Sequence, residues 1–304
     1  MMRSLKMTIA AITMILPLAL AGCGNREPGS GTGSTQSPTE TETGTRAETN
    51  SGAGWRDDHD INDTNDVIAI HNSVSNWEKL DTFTELKPGT QRIVHYTIEG
   101  DPIFYDLKYS DSGFQLRYDT TADKFGSPSV KVYDCKGFEK SESDVELRYT
   151  LTGCQGDNDE FVVLELDYNV AEQDLFEFTL LYGITEKNEV HTAENKLVKD
   201  LQNGEVAELD DFKLTSQERG LIYKEMVLAN YLAEKKLSST CNAEPHASYD
   251  LTVRINGGER HYEWSECNSG EDNETMTKMV RKIIAIVEGK NEYKALPAVK
   301  GAYE

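Results

Sequence analysis

Four cysteines in the body of the chain, Cys135, Cys154, Cys241 and Cys267, are the residues whose type and number most constrain chemistry. An even number of thiols in a chain with an export signal points to disulfides, and three pairings are open. The sequential pairing, Cys135–Cys154 and Cys241–Cys267, is favoured because each pair falls inside its own module. It closes loops of 18 and 25 intervening residues, each contributing about 3 kcal/mol in the chain-entropy account. A four-thiolate metal site would need the short Cys-Cys spacing of zinc sites, which is missing.

The carboxylates and histidines come next. In Asp57-Asp58-His59-Asp60-Ile61-Asn62-Asp63, the residues Asp58, Asp60 and Asn62 occupy positions one, three and five of a calcium-loop pattern. The sixth position is Asp63 instead of Gly and the twelfth is Ala69 instead of Glu. A solvated acidic stretch capping a helix is therefore expected, and the same holds for Asp157-Asn158-Asp159-Glu160. Asp101 and Asp106 could form a carboxylate pair, but a turn Asp before Pro102 and a solvated strand Asp explain them more simply. His95 reads as a satisfied strand histidine, and the six histidines are dispersed without a second ligand at metal spacing. Trp55, Trp77 and Trp264 read as packing residues, although exposed aromatics on such a domain could also bind wall glycan or peptide. The chain contains no His-Glu-x-x-His, Gly-x-Ser-x-Gly, phosphate loop or dinucleotide fingerprint. A non-enzymatic protein without a cofactor is expected.

These residues sit on a chain of 304 residues, 38% hydrophobic, with 53 Asp+Glu against 31 Lys+Arg and a formal charge of −22. Such a balance repels nucleic acid and other polyanions. Arg3 and Lys6 precede an uncharged apolar run of 14 residues, Met7 to Leu20. A spanning helix needs about 20 residues, so residues 1–22 read as a secretory signal. From Gly24 to about Asp60 the chain is Gly, Ser, Thr, Glu and Pro. It should be a disordered tether reaching roughly 30–35 Å.

Two modules are expected behind that tether, 60–168 and 169–304, each an antiparallel sheet with one or two packed helices, an α+β class overall. The first opens with helical signals at Val67, Ile68 and Ile70, then a capping box, Ser75-Asn76-Trp77-Glu78, before Leu80, Phe83 and Leu86. Strands follow at Arg92–Ile98, Ile103–Tyr109, Phe114–Tyr118, Val130–Cys135, Val145–Leu151 and Phe161–Leu166. The second module has a strand at Phe176–Ile184, which could instead extend the first sheet. A capping box at Thr215-Ser216-Gln217-Glu218 opens a helix. A hairpin follows, Tyr249–Ile255 and Glu259–Cys267 about Asn256-Gly257-Gly258. A last helix carries Met276, Met279, Val280, Ile283, Ile284 and Val287 on one face.

Three resemblances add to this reading. Leu20-Ala21-Gly22-Cys23 resembles the lipobox of bacterial lipoproteins, which implies diacylglycerol on the Cys23 thiol, a new N-terminus at Cys23 and a chain anchored on the extracytoplasmic face of the cell membrane. Asn76 to Leu80 with Phe83, Val94 to Ile103, Asp106-Leu107, Tyr118-Asp119 with Phe125-Gly126, and Cys135 with Leu151-Thr152-Gly153-Cys154 resemble a Gram-positive lipoprotein family, the domain of unknown function family 4362. Its Glu99-Gly100-Asp101-Pro102-Ile103 string is the most specific part, Trp77 and Tyr105 are departures, and the family brings no activity. The order strand, helix, hairpin, helix in the second module is similar to emfourin-type inhibitors of thermolysin-like metalloproteases. The expected function is that of a membrane-anchored lipoprotein binding an envelope protein or wall component. The alternative is an inhibitor or regulator of an exported metalloprotease.

Overall fold

The computed structural model describes residues 54–85, 87–156 and 158–303. Cys23, the signal segment, most of the tether, Leu86 and Asp157 lie outside the described residues. No described helix is long and apolar enough to cross a membrane. The described residues fall within one compact unit, α+β and mostly β.

The first half begins with a hairpin, β1 (Val67–Ile70) and β2 (Ser73–Ser75), followed by a single helical turn, α1 (Lys79–Thr82). Both features correct the sequence reading. Val67 and Ala69 are buried while Ile70 is exposed, the two-residue period of a strand, and β1 pairs in parallel with β3 (Gly89–Tyr96). A parallel partner from later in the chain overrides the local helical signal of four apolar residues. The Ser75 capping box does not form. Ser75 is the last residue of β2, and Asn76 adopts a left-handed φ of 60°. Asn76 is held there because its side-chain amide donates to the Asp63 and Asp66 carbonyls.

From β3 the chain meanders through β4 (Pro102–Ser110), β5 (Gly113–Asp119) and β6 (Val130–Cys135), completing a sheet in the order β2-β1-β3-β4-β5-β6. The next three strands, β7 (Gly137–Glu142), β8 (Glu146–Thr152) and β9 (Glu160–Asp167), form a separate sheet. Strand β7 has no sequence signal, since Phe138 is its one large apolar residue. The Cys135–Cys154 disulfide joins the end of β6 to the turn after β8.

The second half is a six-stranded antiparallel sheet in the order β13-β12-β11-β10-β14-β15. Its strands are β10 (Phe176–Gly183), β11 (Asn188–His191), β12 (Lys196–Asp200), β13 (Val206–Leu209), β14 (Ser248–Ile255) and β15 (Gly258–Ser265). Strand β10 pairs along its whole length with β14, from Phe176↔Ile255 to Gly183↔Ser248, so it belongs to this sheet and not to the first. Strands β11 to β13 are an addition to the expected order. The β14–β15 hairpin turns on Asn256 and Gly257, both at positive φ, as a two-residue turn matching the strand twist requires.

Helix α2 (Ser216–Leu228) starts at the expected capping box: Glu218 N donates to Thr215 Oγ1, and Thr215 N donates to Glu218 Oε2. Helix α3 (Glu271–Gly289) buries Met276, Met279, Val280, Ile283 and Val287, the expected stripe apart from the half-buried Ile284. A short turn, α4 (Asn291–Lys294), follows. Trp264 is buried beneath α3 and donates from its indole N–H to Thr277 Oγ1. The Cys241–Cys267 disulfide ties the loop before β14 to the segment after β15.

The buried apolar residues of both halves form one continuous cluster, and polar contacts also cross between them. Trp77 donates from Nε1 to the Leu228 carbonyl at 2.9 Å. Asn230, buried and at positive φ, accepts from Ser73 Oγ at 2.6 Å and donates to Ser75 Oγ at 2.9 Å. Lys224 pairs with Glu142 across the same boundary.

Candidate functional site

The segment that leads into the first sheet lies across strands β3, β4 and β5, and buried arginines hold it there. Arg92 on β3 stands directly opposite Asp106 on β4, and its Nε and Nη2 donate to the two carboxylate oxygens at 2.6 and 3.0 Å. The rest of the guanidinium holds the incoming chain. Nη1 donates to the carbonyls of Asp58 and Asp60, and Nη2 to that of Arg56. Five donors in a fixed fork suit arginine to this task, because a carboxylate takes one edge and backbone oxygens the other. Burial disfavours the Arg92 charge, but Asp106 outweighs it, and the pKa is held above its ordinary value.

Arg117 on β5 extends the network, donating to Asp106 Oδ2 at 3.3 Å and pairing with Asp119 at 2.9 Å. Burial of Asp119 would raise its pKa. Hydrogen bonds from Thr121, with the charges of Arg117 and His59, pull it the other way, and the net direction is down. His59 stacks flat on Phe104 with ring centres 5.1 Å apart and lies 3.1 Å from Thr121 Oγ1.

Beside this network lies a cavity of about 530 Å³, within the size range of small-molecule sites. Trp55, Phe83 and Leu107 give it apolar wall, and Lys79, Gln91 and Lys108 give it polar wall. Arg56, Arg92, Asp66 and Asp106 also reach it. The Lys108 ammonium sits 3.8 Å over the Trp55 ring, and desolvation pushes its pKa down. Arg56 pairs with Asp66 at 2.8 Å.

The residues singled out in sequence are distributed as follows. Asp58 faces Arg92 and Arg56 at 3.3 and 3.5 Å. Asn62 Oδ1 accepts from Thr64 and Asn65, and the Asp60 carbonyl is taken by Arg56 and Arg92. Arg56 and Arg92 thus engage the Asp58 carboxylate and the Asp60 carbonyl. Asp106 is a correction: it is buried in the arginine network instead of solvated. Asp101 accepts from the Lys124 side chain at 2.8 Å and backbone at 3.0 Å, and those bonds hold its pKa low. Asp101 and Asp106 are thus each neutralised by separate cations. His95 lies against Tyr105 and shares a 2.9 Å hydrogen bond with the Val163 carbonyl, donating from Nε2, and burial lowers its pKa.

One ligand-like group escaped the sequence reading. Asp250, His261 and Glu263 converge on the open face of the β14–β15 hairpin, with His261 Nε2 3.0 Å from Asp250 and 3.6 Å from Glu263. The signal was available: register about Asn256-Gly257 sets Asp250 opposite Glu263 and Thr252 opposite His261. Cys241 and Cys267 also lie near His246, but both sulfurs are spent in the disulfide.

Fold and site together define an α+β domain with a cavity that opens beside an arginine-clamped entry segment. Residues 64–150 match the model of a family described as Domain of unknown function (DUF4362). The match takes in Lys79, Arg92, Asp106 and Lys108 but stops short of Trp55 and Arg56. No curated protein and no solved structure matches the chain.

Proposed function

We propose that the protein is a membrane-anchored extracytoplasmic lipoprotein, held through a lipidated Cys23, that binds a component of the cell envelope without transforming it. The observation that supports binding most is the cavity walled by Trp55, Lys79, Phe83 and Lys108 at the point where the tether would join the folded body. Its groups suit holding a ligand better than turning one over. The carboxylates that could serve as acid or base, Asp66 and Asp106, are each paired to arginine. A general base must be free to reach a substrate proton.

We further read the body as two modules, 60–168 and 169–304, docked along the Trp77–Leu228 and Ser73–Asn230 contacts. Each half keeps its own sheets and its own disulfide, which supports this division. The protease-inhibitor alternative draws on the order β10, α2, β14, β15, α3. Assay of the full chain against a thermolysin-type protease tests it, and no inhibition at micromolar concentration removes it.

Site-specific photo-crosslinking in intact cells tests the binding reading. A cross-linker at Thr82, on the cavity wall, should give a discrete adduct that the same group at Glu139 does not. Identical behaviour at both positions would overturn the reading.

A further inference from the structure

We propose that the Cys241–Cys267 disulfide is a thiol–disulfide exchange site for a partner bearing a dithiol, with Cys267 the sulfur attacked and Cys241 the sulfur that leaves. This activity stands apart from the cavity and goes beyond the binding reading. It rests first on the difference between the two bridges. Cys135 and Cys154 are 5% and 7% exposed, which shields both sulfurs from an attacking thiolate. Cys267 is exposed and Cys241 half-buried, in the irregular segments on either side of the β14–β15 hairpin.

The two sulfurs of this second bridge are not equivalent. The backbone N–H of Ala243 donates to Cys241 Sγ at 3.3 Å. A ring nitrogen of His246 lies within 4.8 Å of both sulfurs. The ring is held there because its Nδ1 donates to the Ala243 carbonyl at 2.8 Å. A backbone donor and an imidazolium both favour a thiolate over a thiol. Exchange runs faster when the leaving thiol is the more acidic one. Cys241 is therefore the better leaving group, and Cys267 the sulfur within reach. The adjacent Glu266 carboxylate would repel an incoming thiolate, but Arg281 pairs with it at 2.7 Å.

The fold keeps the two sulfurs together when the bond is open. Before Cys241, the Ser238 carbonyl accepts from Ser265 N at 3.0 Å and from Asn268 Nδ2 at 2.9 Å. After it, Glu266 N donates to the Ala247 carbonyl at 3.0 Å. Both flanks of Cys241 are thus tied to the segment that carries Cys267, and the dithiol stays in place to close again.

The exchange proceeds in two displacements. A partner thiolate attacks Cys267 Sγ, and the bond to Cys241 breaks as the mixed disulfide forms. Cys241 leaves as a thiolate and takes a proton from protonated His246. The partner's second thiolate then attacks the partner's own sulfur in the mixed disulfide and displaces Cys267, which takes a proton from water. Two electrons have passed from the partner dithiol, now a disulfide, to this cystine, now two thiols. The reverse sequence oxidises a partner.

Dithiothreitol as the dithiol and glutathione as the single thiol test this on the full chain without denaturant. Dithiothreitol at neutral pH should open Cys241–Cys267 about tenfold faster than Cys135–Cys154, read by alkylation and peptide mapping. Circular dichroism should show the fold retained. Glutathione, trapped by alkylation, should be found on Cys267 with Cys241 alkylated. His246→Gln should slow the opening about threefold, the scale on which exchange rates follow thiol acidity. His246→Lys, which restores a cation, should recover most of the rate. Opening of neither bridge, both bridges opening together, glutathione on Cys241, or a His246→Gln variant that opens at the wild-type rate would each overturn the proposal.

Discussion

Arg92 and Asp106 face each other directly across β3 and β4 and close a two-pronged ion pair inside the protein, while the far edge of the same guanidinium holds the carbonyls of Arg56, Asp58 and Asp60. One side chain thus joins the sheet to the segment that enters it. Asp106→Ala strands a buried cation and should cost about 3–5 kcal/mol. Arg92→Met with Asp106→Leu removes both charges and should cost less than that single change. Urea unfolding of the two variants measures this. A double variant as unstable as the single one would mean that the strap contacts, and not the charge pair, carry the stability.

His95 gives stability a pH dependence. Burial holds its folded pKa below the ordinary value of 6.5, so the unfolded chain takes up the proton first. The stability tied to neutral His95 is complete above about pH 6.5 and is lost as pH falls below that toward the folded value. Thermal unfolding between pH 7.5 and 5 should therefore show a falling midpoint, and His95→Gln should flatten that slope. An unchanged slope in the variant would assign the loss to other groups.

The two disulfides should survive as the sole pairings. Non-reducing peptide mapping should find Cys135 with Cys154 and Cys241 with Cys267. Replacing either pair with Ser should cost about 3 kcal/mol, the loop-closure contribution. A crossed pairing would remove the argument that each half carries its own staple.

The seam between the halves makes the division of the chain measurable. Residues 60–168 and 169–304, expressed apart, should each unfold cooperatively but at lower temperature than the full chain, because Trp77, Ser73 and Asn230 lose their partners. Asn230→Ala in the full chain should cost about 1–3 kcal/mol by leaving buried polar atoms unmatched. A fragment without a cooperative transition would make the body one folding unit.

How much of this was legible in the sequence depended on whether the deciding interaction was local. The Thr215 capping box, the Asn256-Gly257 turn and the apolar stripe from Met276 to Val287 are local, and all three stand in the structure. Val67–Ile70 was misread because β3, one of its two partner strands, lies more than 20 residues downstream. The Ser75 box failed because Asn76 bonds backward to Asp63 and Asp66. Within the site, Asp106 looked like a solvated strand residue because the arginines that bury it come from β3 and β5. Alternation along β4 marks its face, but only register shows who stands opposite. Lys108 carried no motif, and Lys79 lies in the Asn76 to Leu80 string of the family resemblance, which brings no role for it. The entry segment brings Trp55 to Lys108 from outside the sheet, a contact that no local pattern announces.

The central claim, a binding domain tethered to the membrane through Cys23, is tested most directly by intact-mass and N-terminal peptide analysis of the protein taken from the membrane fraction of its own cells. The account expects the chain to begin at Cys23 with diacylglycerol on its sulfur, and Cys23→Ala to leave the signal segment uncleaved and the lipid absent. A chain that begins elsewhere, or an unmodified Cys23 in a protein that fractionates like the Cys23→Ala variant, would contradict it.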